Sequence, residues 1–297
     1  MGTKRVGHAR LKAMISEMTR GTEIKSKASD KNGFQGDSGL IIGKHGSFGE
    51  EANPFAESST QLFPLGTMLM YGDRIFRYGK LGGTAVTAGK LLQTAAAVTT
   101  HRDLACPTPS ATVGGRAGDA FIQVTLGGTN AATLDQYAGG YVNLLDAAGE
   151  GQLLKIRSNA ATAHSTAMSV KLHDKIATVT TSSTKADLIA DPWNGLIVAP
   201  TTFTGPVIGV TVVDMTADYY GWFQVSGPSS VLYDENPTGA NDELGGIMIR
   251  ADAVAGAAMG PGADGGDADA SHQVIGTLMV LNDDTEYAVL WLSLGSV

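Results

Sequence analysis

The chain has 297 residues, a formal net charge of −8, 43% hydrophobic and 17% charged residues, which excludes a disordered chain and leaves room for one large β domain or two smaller ones. Its 39 glycines suit a turn-rich β protein better than a helical enzyme. The negative balance argues against direct nucleic-acid binding, which needs clustered Lys and Arg, and the single Cys106 excludes an internal disulfide or a cysteine-rich zinc site.

Residues 1 to about 60 read as a polar, basic, extended arm. Over residues 1–50, nine Lys and Arg stand against five Asp and Glu, about +4, which leaves about −12 for the rest. Leu11, Met14, Ile15 and Met18 fall at helical spacing and predict one short amphipathic helix. Such a helix needs a surface to lie against, either its own body or another chain.

From residue 61 the pattern changes to short alternating segments, read as one all-β body, with 61–215 and 216–297 as an option for two subdomains. Strands are predicted at 67–70, 74–78, 90–92, 120–126, 140–145 and 152–156, then at 169–172, 176–180, 195–198 and 207–213. Further strands follow at 221–225, 230–233, 245–249, 273–280 and 286–294. Turn signals at near-regular intervals between them indicate a β-barrel or β-sandwich with Gly-rich hairpins. One two-turn helix is expected at 183–190. The low-complexity run 251–271, with Asp264, Asp267 and Asp269 among glycines, reads as an exposed acidic loop.

No motif assembles a catalytic centre. Gly36-Asp37-Ser38-Gly39 copies the heart of a serine-protease nucleophile motif, yet only His8 precedes it, and a flexible turn is the plainer reading. His101-Arg102-Asp103 matches a fragment of a kinase catalytic loop without the phosphate loop or the metal-binding Asp-Phe-Gly. The three aspartates of the acidic loop lack the tandem glycine spacing of calcium β-rolls, and the six histidines share no ligand spacing. The expectation is no enzyme, no cofactor and no metal. Arg74 and Arg77 read as strand residues on a solvated edge. Tyr220, Trp222 and Trp291 are candidates for an oligomer contact or a stacking surface. No apolar run reaches the roughly 18 residues of a membrane span and no signal-peptide core is present, so the expectation is synthesis in a cytoplasm and no membrane partner.

Leu65-Gly66-Thr67 through Gly72-Asp73-Arg74-Ile75-Phe76-Arg77-Tyr78, then Gly83, Thr87-Ala88-Gly89-Lys90-Leu91, Gly221-Trp222-Phe223-Gln224-Val225-Ser226-Gly227-Pro228 and His272-Gln273-Val274-Ile275-Gly276, carry a resemblance in patches over two-thirds of the chain. In these the chain resembles virion structural proteins of tailed bacteriophages, of the kind that decorate or cement a capsid built from HK97-like major subunits. The resemblance implies a homotrimer on the capsid surface, over joints between capsomers, with the major capsid protein as partner. The arm residues Arg5, Arg10, Leu11, Met14, Ile15 and Met18 would then make the capsid contact. A tail fibre or spike that binds a receptor or glycan is the alternative from a different class. A role as the shell-forming major capsid protein itself would need a long spine helix, which the sequence does not offer.

Overall fold

Residues 40–43, 52–234, 247–249, 254–260, 273–280, 282 and 286–295 are described by the computed structural model of the chain. The expected arm helix, with Arg5, Arg10, Leu11, Met14, Ile15 and Met18, lies outside them, as do Ser38, Asp264, Asp267 and Asp269. Apolar residues recurring every second position make the described body almost entirely β, as the alternation predicts. In chain order the strands are β1 (Leu40–Gly43), β2 (Met68–Tyr71), β3 (Arg74–Leu81), β4 (Leu91–Gln93), β5 (Leu104–Ala105), β6 (Phe121–Thr125), β7 (Tyr141–Asp146) and β8 (Leu153–Asn159). They continue with β9 (Ala167–Leu172), β10 (Lys185–Ile189), β11 (Asn194–Val198), β12 (Val207–Thr211), β13 (Tyr220–Leu232), β14 (Ile247–Ile249), β15 (Val274–Val280) and β16 (Tyr287–Ser293).

The chain forms two compact units. One is built from the described residues within Met1–Leu92, Val198–Thr201 and Val207–Val297, the other from Gln93–Ile197 and Thr202–Pro206.

The second unit is a closed barrel in the order β10-β5-β6-β9-β8-β7, with neighbours antiparallel throughout. Its inward residues meet across the ladders as Ile122 with Val170, Val124 with Met168, Val142 with Leu154 and Leu144 with Ala186. Six strands close a bore that these side chains fill, so the barrel interior is a core. Here two sequence expectations are corrected. Residues 183–190 are not a helix but contain β10, because Ala186 and Leu188 point inward while Lys185, Asp187 and Ile189 alternate outward, a period of two. Residues 176–180 form a loop, tied by the Ile176 N–H to the Asp119 carbonyl and by the Thr180 N–H and hydroxyl to the Gly115 carbonyl.

In the first unit β1 pairs parallel with β2, and the antiparallel ladder then runs β2–β3–β13–β16–β15–β14, with β12 also on β13. Part of the span read as an arm is therefore joined to the body. Ser58 bridges Tyr220, and the Glu57 carboxylate accepts the Thr216 N–H and hydroxyl at 2.6 and 2.8 Å. Strand β3 lies between β2 and β13, so Arg74 and Arg77 are not on a sheet edge; Arg77 donates to the Gly66 carbonyl at 2.9 Å. The 13-residue β13 passes from β3 to β16 near Gly227, whose φ is +84° and where a Cβ would lie 2.2 Å from the Asp73 carbonyl oxygen. Only glycine admits that approach.

Candidate functional site

Strand β16 positions the most exposed indole of the described chain. Tyr287, Val289 and Trp291 fall on one face of the strand while Ala288, Leu290 and Leu292 fill the core on the other, so the sequence alternation alone sends the indole outward. Trp291 is 45% exposed, opposite Pro228 on β13 and Thr277 on β15. The ladder between β15 and β16 shifts register between Leu278 and Val280, and the two consecutive apolar residues Met279 and Val280 are both exposed there. Val274, 51% exposed, extends the apolar surface along β15. Trp291 was legible as a candidate. Its companions Tyr287, Met279, Val280 and Val274 were missed, although the alternation of Tyr287, Val289 and Trp291 was the signal that could have found the first.

Trp222 sits differently. It is 3% exposed, with its ring 5.1 Å from Tyr78 and 5.3 Å from Phe63, inside a cluster completed by Leu69, Tyr71 and Phe76. As a surface platform it is corrected to a core residue: β13 sets it opposite Tyr78 in the middle of the sheet. Tyr220 is half-buried, stacked on Tyr78 with centroids 6.3 Å apart and with the Lys80 ammonium 5.8 Å from its ring. Burial pushes the Tyr78 phenol above its ordinary pKa, against the opposing effect of the Leu62 N–H, which donates to its oxygen at 3.0 Å. Tyr220 and Trp222 thus belong together, and Trp291 does not join them.

The remaining chemistry-bearing groups serve the fold. His101 is fully buried, its Nε2 3.0 Å from the Asn130 carbonyl and its Nδ1 2.5 Å from the Tyr137 hydroxyl. A carbonyl can only accept, so Nε2 carries the proton and Nδ1 accepts from Tyr137. Asp103 is held by its own N–H, which donates to the Asp187 carboxylate at 2.8 Å. Among the described residues no three His, Cys, Asp or Glu side chains are grouped to hold a metal ion, and no helix is long and apolar enough to cross a membrane.

Compared with known proteins, the chain matches no family model, no curated protein and no solved structure. The reading of its function rests on its own residues.

Proposed function

We propose that the chain is a non-enzymatic virion structural protein, a capsid decoration or cement protein that binds the outside of an HK97-like shell at capsomer joints as a homotrimer. The observation that carries this reading is the exposed apolar face of β15 and β16, centred on Trp291 and continued by Tyr287, Met279, Val280 and Val274. A protein that works alone in water gains nothing by presenting so much contiguous apolar surface, whereas a partner that covers it recovers the hydrophobic free energy. A flat strand face also suits a lattice contact, because a shell repeats a modest contact many times and multivalency multiplies it. The basic residues before β1, Arg5 and Arg10 among them, add charge complementarity to an acidic neighbour.

The test mixes purified chain with expanded shells assembled from the major capsid subunit of the same virus and measures co-sedimentation. The full chain and a truncation lacking residues 1–39 are compared, the cut stopping before β1 because that strand pairs with the body. Saturable binding by the full chain, weakened by the truncation and by Trp291→Ala, is the expected result. Absence of binding at saturating protein, or density for the chain only on the tail in electron micrographs of virions, would overturn it.

A second reading, a glycan- or receptor-binding virion protein, draws on the same exposed indole, since an accessible Trp face can stack on a sugar ring. A glycan array that shows Trp291-dependent binding would favour it over the shell.

A further inference from the structure

A cleft of about 470 Å³ opens on the unit that contains β3, β12, β13 and β16. Phe55, Arg74, Asp214, Gln224, Ser229 and Tyr287 contribute to its lining. Three polar groups there are unspent. Gln224 is fully buried, and its Nε2 donates to the carbonyls of Ser226 and Pro228 at 3.1 and 2.8 Å. Those two acceptors fix which end of the amide is nitrogen and leave Oε1 with no hydrogen-bond partner. The buried Ser229 hydroxyl has none either. Buried polar groups are almost always paired in folded proteins, so two orphans in the walls of one cleft call for an explanation.

The third group is Arg74. Its guanidinium carbon lies 5.2, 5.4 and 5.6 Å from the ring centroids of Phe55, Tyr71 and Phe76. The ion pairs among the described residues join Lys80 to Asp218, Arg102 to Asp187 and Arg116 to Asp119, and leave Arg74 out. The carboxylate that shares its cleft is engaged elsewhere: Asp214 Oδ1 accepts the Ala88 N–H at 2.9 Å. The rings hold the guanidinium plane in place while its N–H donors remain free for a planar anion, the geometry in which Arg recognises carboxylates through two parallel hydrogen bonds.

We propose that this cleft binds a peptide segment carrying a carboxylate side chain, with the carboxylate on Arg74, a main-chain N–H of the segment donating to Gln224 Oε1, and the Ser229 hydroxyl completing the contact. A peptide supplies the anion and the donor together, and its apolar flanks meet Phe55 and Tyr287, each 42% exposed. An acidic glycan has both chemistries as well, but stacking needs an open ring face. Here Phe55 is already engaged by the Arg74 cation, and Tyr287 packs so closely on Gly89 that a Cβ there would lie 2.4 Å from the ring. The assignment stands whether or not the chain docks on a shell.

The experiment uses the full chain, isotopically labelled, and follows the Arg74 Nε–H and Gln224 side-chain amide signals by NMR. It titrates acetyl-Ala-Glu-Ala-amide, the same peptide with Gln in place of Glu, and oligogalacturonate. The Glu peptide is expected to shift both signals saturably, and the Gln peptide to bind about tenfold more weakly, the worth of one charge-assisted pair. Arg74→Gln is expected to erase that discrimination. Because Arg74 also packs on three rings, Arg74→Lys and Ser229→Ala are tested beside it: each keeps the fold, as judged by unchanged backbone spectra, and each weakens the Glu peptide severalfold. Equal response to the two peptides, no saturable shift, or tighter binding of oligogalacturonate than of the Glu peptide would each overturn the proposal.

Discussion

Two tryptophans on neighbouring strands give opposite expectations for one substitution. Trp222→Ala removes a ring that is 3% exposed and packed between Phe63 and Tyr78 at 5.3 and 5.1 Å. Truncating a buried Trp costs about 3–5 kcal/mol, and each well-placed aromatic pair is worth about 0.5–1.5 kcal/mol beyond its area, so about 4 kcal/mol is expected. Trp291→Ala removes a ring that is 45% exposed and rests only on the outer face of its strand. Much of its surface is already in water, so its truncation is expected to cost about 1 kcal/mol. Guanidinium unfolding followed by β-sheet circular dichroism, with the slope m held in common, reads both values from the shift in midpoint. The same two proteins are then compared for shell binding, where Trp291→Ala is expected to carry the larger loss although it is the milder for stability. The reasoning is refuted if Trp222→Ala costs below about 1.5 kcal/mol or Trp291→Ala above about 2.5 kcal/mol, since burial would then not separate their roles.

Three further outcomes follow from the barrel unit. Gly140→Ala would place a Cβ 2.0 Å from the Ile189 carbonyl oxygen at the seam between β7 and β10, a clash with backbone that cannot rotate away, and a loss of at least about 3 kcal/mol in the same unfolding assay is expected. Burial pushes the Cys106 thiol up to about 11, so at pH 8 the native chain holds roughly a thousandfold less thiolate than thiol and is expected to react with a disulfide reagent only as guanidinium unfolds it. A fast stoichiometric reaction of native protein would contradict that packing. Burial also raises the Asp191 carboxyl above its ordinary value, against the lowering effects of the Trp193 N–H, which it accepts at 2.8 Å, and of Lys155. The folded state therefore holds this proton more tightly than the unfolded chain, and stability falls as pH rises from the unfolded value, about 4, through the raised folded one. Asp191→Asn keeps an acceptor for the Trp193 N–H and is expected to flatten that part of a thermal-midpoint profile.

The barrel was legible because its strands bury one face only. In β6 and β9 the order of inward and outward residues is the order of apolar and polar residues, and the strands were expected within a residue or two of where they lie. Strand β10 was misread because Thr184 and Leu188 stand four apart, which also satisfies a helix; only its place between β5 and β7 decides for period two. Strand β13 hid its faces for a different reason. Gly221 through Val225 are all buried, so alternation could not tell that Trp222 points into the core. Its Ser226-Gly227-Pro228 run reads as a break, yet the strand continues there by changing partner from β3 to β16. Nor could the sequence show that β3 is internal, since strand order depends on partners remote in the chain. The cleft was invisible for the same reason: Arg74, Asp214, Gln224 and Tyr287 come from four separate stretches, and none carries a motif.

Tyr287 links the exposed face to the cleft. It shares the outer face of β16 with Trp291, four residues on, and it also lines the cleft that holds Arg74. One partner that lays an acidic segment into the cleft could therefore rest its apolar surface on Trp291 in the same encounter, or two partners could use the surfaces separately. A double-mutant cycle with Trp291→Ala and Arg74→Lys, read as shell affinity, separates the cases. If a single partner spans both, neither contact forms well without the other, and the two losses are expected to combine non-additively by at least about 0.5 kcal/mol. If Arg74→Lys leaves shell affinity unchanged while weakening the Glu peptide, the cleft serves a different ligand, and only the Trp291 face belongs to the shell.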